Sequence, residues 1–317
     1  MHVGSRFTAP DSVVVQIPFP VAFPPWNTKL HTISDVSSFN CVDPINYGDE
    51  VVTGKESRLS RIIRPDSGRT LIIAVDHGMA LGPMKGIEDL RLVFDTLEAY
   101  ADAWLMTKGI FTHVYNAGGH SGVILRASGG ATIAGPDITR EGITASVEEL
   151  VALSADAVAF SAYIGSENEH DTLQNLARIA EDCRYWQVPL MGVIGVGKDE
   201  EKTQDARFIA LGARVAAEHG ADLVKTYYTP EGFDNVTGGC PVPVAIAGGP
   251  KCDTDEDTLG MIRSALDEGA AGIVMGRNIW QSEHPVPLVK AVHALIHQDA
   301  SIEKAAAILR ENQLQWN

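Results

Sequence analysis

The sequence predicts a TIM (β/α)₈ barrel with an extended N-terminal arm. Three observations carry this prediction. The length of 317 residues fits one barrel of about 250 residues plus extensions. Eight short apolar runs recur from residue 71 onward, and stripes of apolar residues at helical spacing lie between many of them. Apolar runs without period-two alternation are typical of strands buried on both faces, and intervening helices indicate parallel crossovers.

The first 55 residues differ from the rest of the chain. Six prolines interrupt the apolar stretches of this segment, and each proline restricts its own backbone and that of the preceding residue. We therefore expect an extended arm over residues 1–55. Its valines and aromatic residues favour packing against the barrel or another subunit, and a disordered leader is the alternative. Residues 56–317 are expected to form the barrel with a C-terminal helix.

Each predicted strand and helix has a place in the chain. The apolar runs are 71–75, 103–106, 123–125, 157–160, 190–194, 223–224, 242–247 and 272–275. Apolar stripes predict helices over 167–184, 207–219, 254–268, 288–296 and 302–312. A doubly wound open sheet is the competing fold, but an even series of eight strand and helix units without a G-x-G-x-x-G fingerprint favours the barrel.

The composition argues against several classes of function. A formal charge of −16 argues against general nucleic-acid binding, because nucleic-acid phosphates are held by clustered cations. Neither a CxxC pair nor zinc-type His spacing accompanies the four cysteines, so we expect no metal site and no disulfide framework; they are Cys41, Cys183, Cys240 and Cys252. No apolar run approaches about 18 residues and no signal-peptide pattern opens the chain, so we expect a cytoplasmic protein without a membrane span.

The candidate nucleophile is Lys225. In a (β/α)₈ barrel the active site lies at the carboxyl ends of the strands, and Lys225 follows the sixth apolar run. Burial there would favour the neutral amine, which is the form that attacks a carbonyl carbon. On position alone, a structural lysine that reaches the barrel rim or pairs with Asp222 or Asp76 is an equally good interpretation.

Three further side chains are candidate acids or bases. Asp76 ends the first strand and needs a partner, because an unpaired buried carboxylate is costly. If that partner is Lys225, the pair can move the proton that carbinolamine dehydration requires, and a structural salt bridge is the alternative. His77 could act as an acid or base, or only form a hydrogen bond in its turn. Tyr163 follows the fourth apolar run.

Two glycine turns predict a phosphate site. They follow the seventh and eighth runs, where many such barrels bind phosphate through closely approaching backbone, and they contain Gly248, Gly249, Gly276 and Arg277. The two turns together with the arginine indicate phosphate more strongly than one Gly-Gly pair would. Further basic residues are candidate second cations, although each is expected to be solvated at the rim: Lys108, Arg126, Lys198 and Lys251. Residues 128–130 are interpreted as a simple turn.

These strand-end residues belong to longer motifs that resemble a known family. The motifs cover 57–62, 76–78, 125–129, 163–167, 225–228, 239–243, 247–249 and 275–279. Over about residues 55–300 the chain resembles the archaeal-type class I aldolase family. The resemblance is strongest to the thiolase branch of that family, which acts in autoinducer-2 breakdown.

The resemblance implies a role for each candidate residue. Lys225 would form a Schiff base with a phosphorylated keto substrate, Asp76 would be catalytic or orienting, and the two glycine turns would bind the phosphate. No bound cofactor is implied. Coenzyme A would be a co-substrate that accepts an acetyl group and leaves dihydroxyacetone phosphate. A homo-oligomer, commonly a decamer with arms that reach across neighbouring subunits, is also implied.

Two departures from the family pattern bear on the reaction. The fructose-bisphosphate aldolases and the amino-dideoxyheptulosonate synthases of the family have a proton-donating tyrosine on the fifth strand, at the place of Ile194 or Gly195. Its absence favours a thiolase unless Tyr163 or His77 substitutes. Residues 79–86, in contrast, are more similar to the heptulosonate synthases. A dihydroxyacetone-phosphate-dependent aldolase is therefore the alternative enzyme, and a non-catalytic sugar-phosphate binding protein is the third hypothesis.

Overall fold

The computed structural model describes residues 53–116, 118–197 and 204–316. Their strands are β1 (Thr70–Ala74), β2 (Ala103–Thr107), β3 (Gly122–Arg126), β4 (Ser128–Gly129), β5 (Gly142–Ile143), β6 (Ala157–Ile164), β7 (Leu190–Val196), β8 (Leu223–Tyr227), β9 (Val244–Ala247) and β10 (Gly272–Met275). Their helices are α1 (Gly54–Leu59), α2 (Gly78–Leu81), α3 (Leu90–Leu97), α4 (Lys108–His113), α5 (Val147–Ala152), α6 (Glu169–Trp186), α7 (Ala206–Glu218), α8 (Phe233–Gly239), α9 (Asp255–Asp267), α10 (Arg277–Trp280), α11 (Pro285–His297) and α12 (Ile302–Trp316).

Eight parallel strands close into a barrel in the order β1, β2, β3, β6, β7, β8, β9 and β10, and β10 pairs with β1. The predicted (β/α)₈ barrel is confirmed. Each of the eight apolar runs overlaps one barrel strand. The strands β6 and β8 extend furthest beyond their runs, and β8 continues to Tyr227 because Lys225 and Tyr227 keep the parallel ladder with Ala245 and Ala247 of β9.

The strands are buried because their residues are apolar on both faces. All five residues of β1 are buried, and so are all four residues of β10. Helix α6 buries one apolar stripe, which includes Leu176, Ile179 and Cys183. Local signals set where helices start. The hydroxyl of Thr254 accepts the backbone N–H of Asp257, whose carboxylate accepts the backbone N–H of Thr254, and this reciprocal cap begins α9.

One small sheet was not predicted. Ser128 and Gly129 form β4, which pairs in antiparallel register with Ile143 and Gly142 of β5. The interpretation of residues 128–130 as a simple turn was therefore wrong, because two-residue strands are too short to carry an apolar pattern. The backbone N–H of Thr144, just after β5, donates to the carbonyl of Ala127, so the hairpin folds back on the end of β3 and brings Glu141 to Arg126.

The predicted N-terminal arm lies outside the described residues apart from its last three positions, and residues 54–55 already belong to α1. The C-terminal helix is present as α12 and is longer than predicted, ending at Trp316. None of the described helices is long and apolar enough to cross a membrane.

Candidate active site

A cavity of about 300 Å³ opens at the carboxyl ends of the barrel strands. All eight residues that the sequence predicts for catalysis or phosphate binding lie in its wall: Asp76, His77, Tyr163, Lys225, Gly248, Gly249, Gly276 and Arg277. They come from the ends of five different strands, and closure of the barrel brings them together. This is the end of the fold where barrel enzymes have their active sites.

Lys225 lies within β8 and faces this cavity. Its backbone is in register with Val193 of β7 and Ala245 of β9, so its position is set on both sides. Burial lowers the pKa of Lys225, the charge of Asp76 opposes this shift, and Arg126 reinforces it. Lys225 forms no hydrogen bond or ion pair with any described residue. The surroundings therefore favour a neutral amine, as a nucleophile requires.

Asp76 pairs with Arg126 rather than with Lys225. An Arg126 Nη1 donates to Asp76 Oδ2 at 2.6 Å, and the side chains are only 10% and 5% exposed. Burial alone would raise the pKa of Asp76, but Arg126 and then Lys225 outweigh it and lower the pKa to about 2. The prediction that Arg126 is solvated at the rim was wrong, because two buried carboxylates, those of Asp76 and Glu141, need its charge.

His77 is neutral in this site. Burial lowers its pKa to about 4, with Asp76 opposing and Lys225 and Arg277 adding to the shift. Its Nδ1 lies 3.7 Å from Asp76 Oδ1 and has no hydrogen-bond partner among the described residues. The ring packs edge-on against Trp280 with centroids 5.5 Å apart. A Cβ added at Gly276 would lie 2.4 Å from His77 Cε1, so this contact requires glycine.

The two glycine turns are held together by α10. Arg277 Nη2 donates to the carbonyl of Gly249 at 2.7 Å, and Asn278 Nδ2 donates to the carbonyl of Gly248 at 2.7 Å. Gly249 has a φ of +62°, which disfavours other residues. The Nε of Arg277 is buried and has no partner among the described residues. It is a donor that an anion in the cavity would satisfy.

Tyr163 lies in the cavity wall and contacts Glu141, a residue that the sequence did not point to. Its hydroxyl donates to Glu141 Oε1 at 2.6 Å. Glu141 also accepts from Arg126 at 3.0 and 2.9 Å and from the Ser128 hydroxyl at 2.7 Å. Glu141 escaped notice because it lies in a loop before β5, whereas only residues after apolar runs were considered.

Comparison with known proteins assigns the family. The profile of the DeoC/LacD family aldolase matches residues 70–282, which extend from the start of β1 to just beyond α10. The chain belongs to the DeoC/LacD family of aldolases. The resemblance to class I aldolases predicted from its motifs is thereby confirmed, and the protein is an enzyme.

Individual relatives of this DeoC/LacD aldolase agree with that assignment. It is 42% identical over 254 residues to the 3-hydroxy-5-phosphonooxypentane-2,4-dione thiolase of Yersinia pseudotuberculosis, a match that covers 80% of this chain and 85% of that protein. An uncharacterized aldolase of Pasteurella multocida is 42% identical over 252 residues, covering 80% and 86% of the two chains.

Solved structures share the fold. An archaeal fructose 1,6-bisphosphate aldolase is 31% identical with a TM-score of 0.70, and the match covers 76% of this chain and 98% of that one. A further structure with the same values is an archaeal fructose-1,6-bisphosphate aldolase whose catalytic lysine is covalently bound to the carbinolamine intermediate of its substrate.

The remaining predicted cations do not form a second anion site in the described part of this aldolase. Lys108 is 40% exposed and pairs with the exposed Glu149 at 2.8 Å, as expected for a rim residue. The Nζ of Lys251 lies 3.7 Å from the carboxylate of Asp255. Lys198 lies outside the described residues.

Proposed function

We propose that this aldolase-family enzyme cleaves a carbon–carbon bond of a phosphorylated ketone through a Schiff base at Lys225. One observation carries the proposal: a buried amine with a lowered pKa shares a cavity with an arginine whose Nε lacks a partner among the described residues. The neutral amine attacks the ketone carbon. The resulting iminium accepts the electron pair of the broken carbon–carbon bond.

Asp76 assists the same step in this proposal. Its pKa of about 2 keeps the carboxylate ionised at neutral pH. It can therefore accept the proton that the amine loses on attack and stabilise the positive iminium that follows. Arg126 keeps the carboxylate in place through the 2.6 Å contact.

The phosphate site favours a substrate with one phosphate. The arginines and lysines that the structure describes in the cavity wall are Arg126, Lys225 and Arg277. Arg126 is committed to two carboxylates and Lys225 to the imine, which leaves Arg277 and the glycine turns for the anion. The substrate in the name of the Yersinia relative, 3-hydroxy-5-phosphonooxypentane-2,4-dione, carries one phosphate.

We therefore propose acetyl transfer from this diketone to coenzyme A, with release of dihydroxyacetone phosphate. Lys225 would form the imine at C4, next to the carbon that carries the phosphate. Attack of the thiol on the C2 carbonyl would then break the C2–C3 bond, because the iminium accepts the electrons left on C3. Coenzyme A is a co-substrate here, and no resident cofactor is invoked.

A class I aldolase that joins dihydroxyacetone phosphate to an aldehyde is the second candidate. The 31% identity to an archaeal fructose 1,6-bisphosphate aldolase favours it. Such an enzyme could be of the fructose-bisphosphate aldolase or the amino-dideoxyheptulosonate synthase type. Dependence on coenzyme A separates the two reactions: cleavage of the diketone at the same rate without coenzyme A would reject the thiolase.

Borohydride trapping tests the Schiff base. The enzyme is reduced in the presence of dihydroxyacetone phosphate, and peptide mass spectrometry locates the adduct. We expect the adduct on Lys225, its loss in Lys225→Ala, and its retention in Lys251→Ala, which removes a neighbouring lysine of the rim. Binding of the phosphate without any adduct would instead support a non-catalytic sugar-phosphate binding protein. An adduct that persists in Lys225→Ala would exclude this lysine.

A further inference from the structure

We propose that Tyr163 and Glu141 form a proton relay for this reaction. Tyr163 exchanges a proton with the reacting carbon, and Glu141, behind it, holds that proton between the two halves of the reaction. This inference rests on the proposed function, because the carbon becomes a base only while it is part of an enamine at Lys225.

The position of Tyr163 depends on a glycine in the neighbouring strand. Tyr163 of β6 is in register with Gly195 of β7. A Cβ added at Gly195 would lie 2.9 Å from Tyr163 Cδ1 and 3.1 Å from its Cε1, so the aromatic ring uses the space that a side chain would fill. The ring therefore lies in the cavity wall, with its hydroxyl turned to Glu141.

Glu141 accepts the hydrogen bond from the Tyr163 hydroxyl and is itself held in place by other residues. The residue is 8% exposed and is held by Arg126 and Ser128 as well as by Tyr163. Glu141 also borders a second depression of about 360 Å³, which Arg140 and Asp171 line as well. Glu141 is thus a wall residue of both the cavity and this depression, as the end of a relay requires.

The other titratable groups in the described cavity wall are poorly suited to the task. Asp76, with a pKa of about 2, is ionised and has no proton to give. His77, with a pKa of about 4, is neutral and a weak acid. Lys225 is committed to the imine. Burial and the charge of Glu141 raise the pKa of Tyr163, so its hydroxyl keeps its proton until a strong base such as an enamine carbon is present. Tyr227 is the rival, because it also borders the cavity.

The relay balances the reaction. As the sulfur–carbon bond forms, the thiol proton passes to the Tyr163 oxygen while the hydroxyl proton of Tyr163 passes to Glu141. The C2–C3 bond breaks, and its electron pair forms the enamine C3=C4 bond, which neutralises the iminium nitrogen. The enamine carbon then takes a proton from Tyr163, Glu141 returns its proton to the phenolic oxygen, and the iminium forms again. Water finally releases dihydroxyacetone phosphate from Lys225.

Isotope exchange tests the relay separately from the imine. Wild-type enzyme and variants are incubated with dihydroxyacetone phosphate in D₂O, and NMR follows deuterium entry at the hydroxymethyl carbon, while borohydride trapping reports the imine. We expect Tyr163→Phe and Glu141→Gln to lower the exchange rate by about 10²-fold or more with trapping retained. Glu141→Asp, which keeps a carboxylate, should recover part of the rate.

Two controls and a pH profile distinguish the relay from a structural role. Gly195→Ala should slow exchange because it displaces the Tyr163 ring while leaving its hydroxyl, and Tyr227→Phe should retain exchange. In Glu141→Gln the residual exchange should fall off at lower pH than in wild type, since the charge that raises the Tyr163 pKa is gone. Full exchange in Tyr163→Phe with trapping intact, or loss of exchange in Tyr227→Phe alone, would overturn the relay. Loss of trapping in the wild type would instead reject the proposed function.

Discussion

The two ends of the barrel use the same chemical groups in different ways. At the amino end, an aspartate directly precedes each of β2, β6 and β8. Each aspartate accepts a hydrogen bond from a backbone N–H of the neighbouring strand and forms an ion pair with a basic residue in the segment 55–64. The three sets are Asp102 with Leu71 and Arg64, Asp156 with Val123 and Arg61, and Asp222 with Leu190 and Lys55. Each of these three carboxylates has a peptide donor and a cation.

The carboxyl end is arranged differently. One arginine, Arg126, serves two carboxylates, and the amine of Lys225 has no partner among the described residues. The Nδ1 of His77 and the Nε atoms of Arg126 and Arg277 are buried donors or acceptors that likewise lack partners there. The three aspartates at the amino end are thus paired, whereas the carboxyl end contains buried polar atoms without partners among the described residues, as the proposed substrate site requires.

The largest test of this difference is Arg126→Met. The substitution leaves Asp76 and Glu141 buried without their cation, so we expect the free energy of unfolding to fall by about 3–5 kcal/mol. The pKa of Asp76 should rise towards its usual range, and imine formation should slow by more than about 10-fold. Urea unfolding and the rate of borohydride trapping measure the two effects.

Arg61→Met is the matched control at the amino end. Arg61 is 49% exposed and its partner Asp156 keeps a backbone donor, so we expect a loss of about 1 kcal/mol or less and unchanged trapping. Equal losses of stability in the two variants would remove the distinction between the ends.

The next largest effect is expected for Asp102→Ala. Asp102, with its side chain 3% exposed, accepts from Leu71, Arg64 and His297. Its removal leaves the buried N–H of Leu71 and the buried His297 ring without this partner, which should lower the free energy of unfolding by about 2–4 kcal/mol. Asp222→Ala removes the same kind of contact at a side chain that is 22% exposed, and a smaller loss is expected. Turnover per folded molecule should be retained in both, and its loss would show that the amino end contributes to catalysis.

The smallest of the three effects is a pH dependence that originates in His77. Its folded pKa is about 4 and its unfolded value about 6.5, so between these values the unfolded chain binds a proton that the folded chain does not. The stability is therefore complete above pH 6.5 and decreases as the pH falls through this window. From pH 7.5 to 5 we expect a loss of about 2 kcal/mol. Chemical unfolding at both pH values should show a smaller loss in His77→Gln; an identical loss would contradict the assignment.

The sequence was informative where a local pattern has one structural solution. The apolar runs located all eight barrel strands, and the rule that function follows the carboxyl ends of strands placed Lys225, Asp76 and Arg277 in one cavity. Arg126 was also at a strand end, but its partners come from β1 and from the hairpin. Nothing near residue 126 in the chain reveals that two carboxylates will be buried against it.

The amino-acid sequence by itself determined the barrel, the end of the barrel where the candidate site lies, and the two glycine turns. Each of these depends on residues that are close in sequence. Tertiary structure decided which side chains are in contact. Asp76 pairs with Arg126 instead of Lys225, Glu141 accepts from Tyr163, and the Tyr163 ring occupies the space next to Gly195. These contacts depend on the register between neighbouring strands and on where a loop folds back. Both are set by packing of the whole barrel, so no short stretch of sequence contains them.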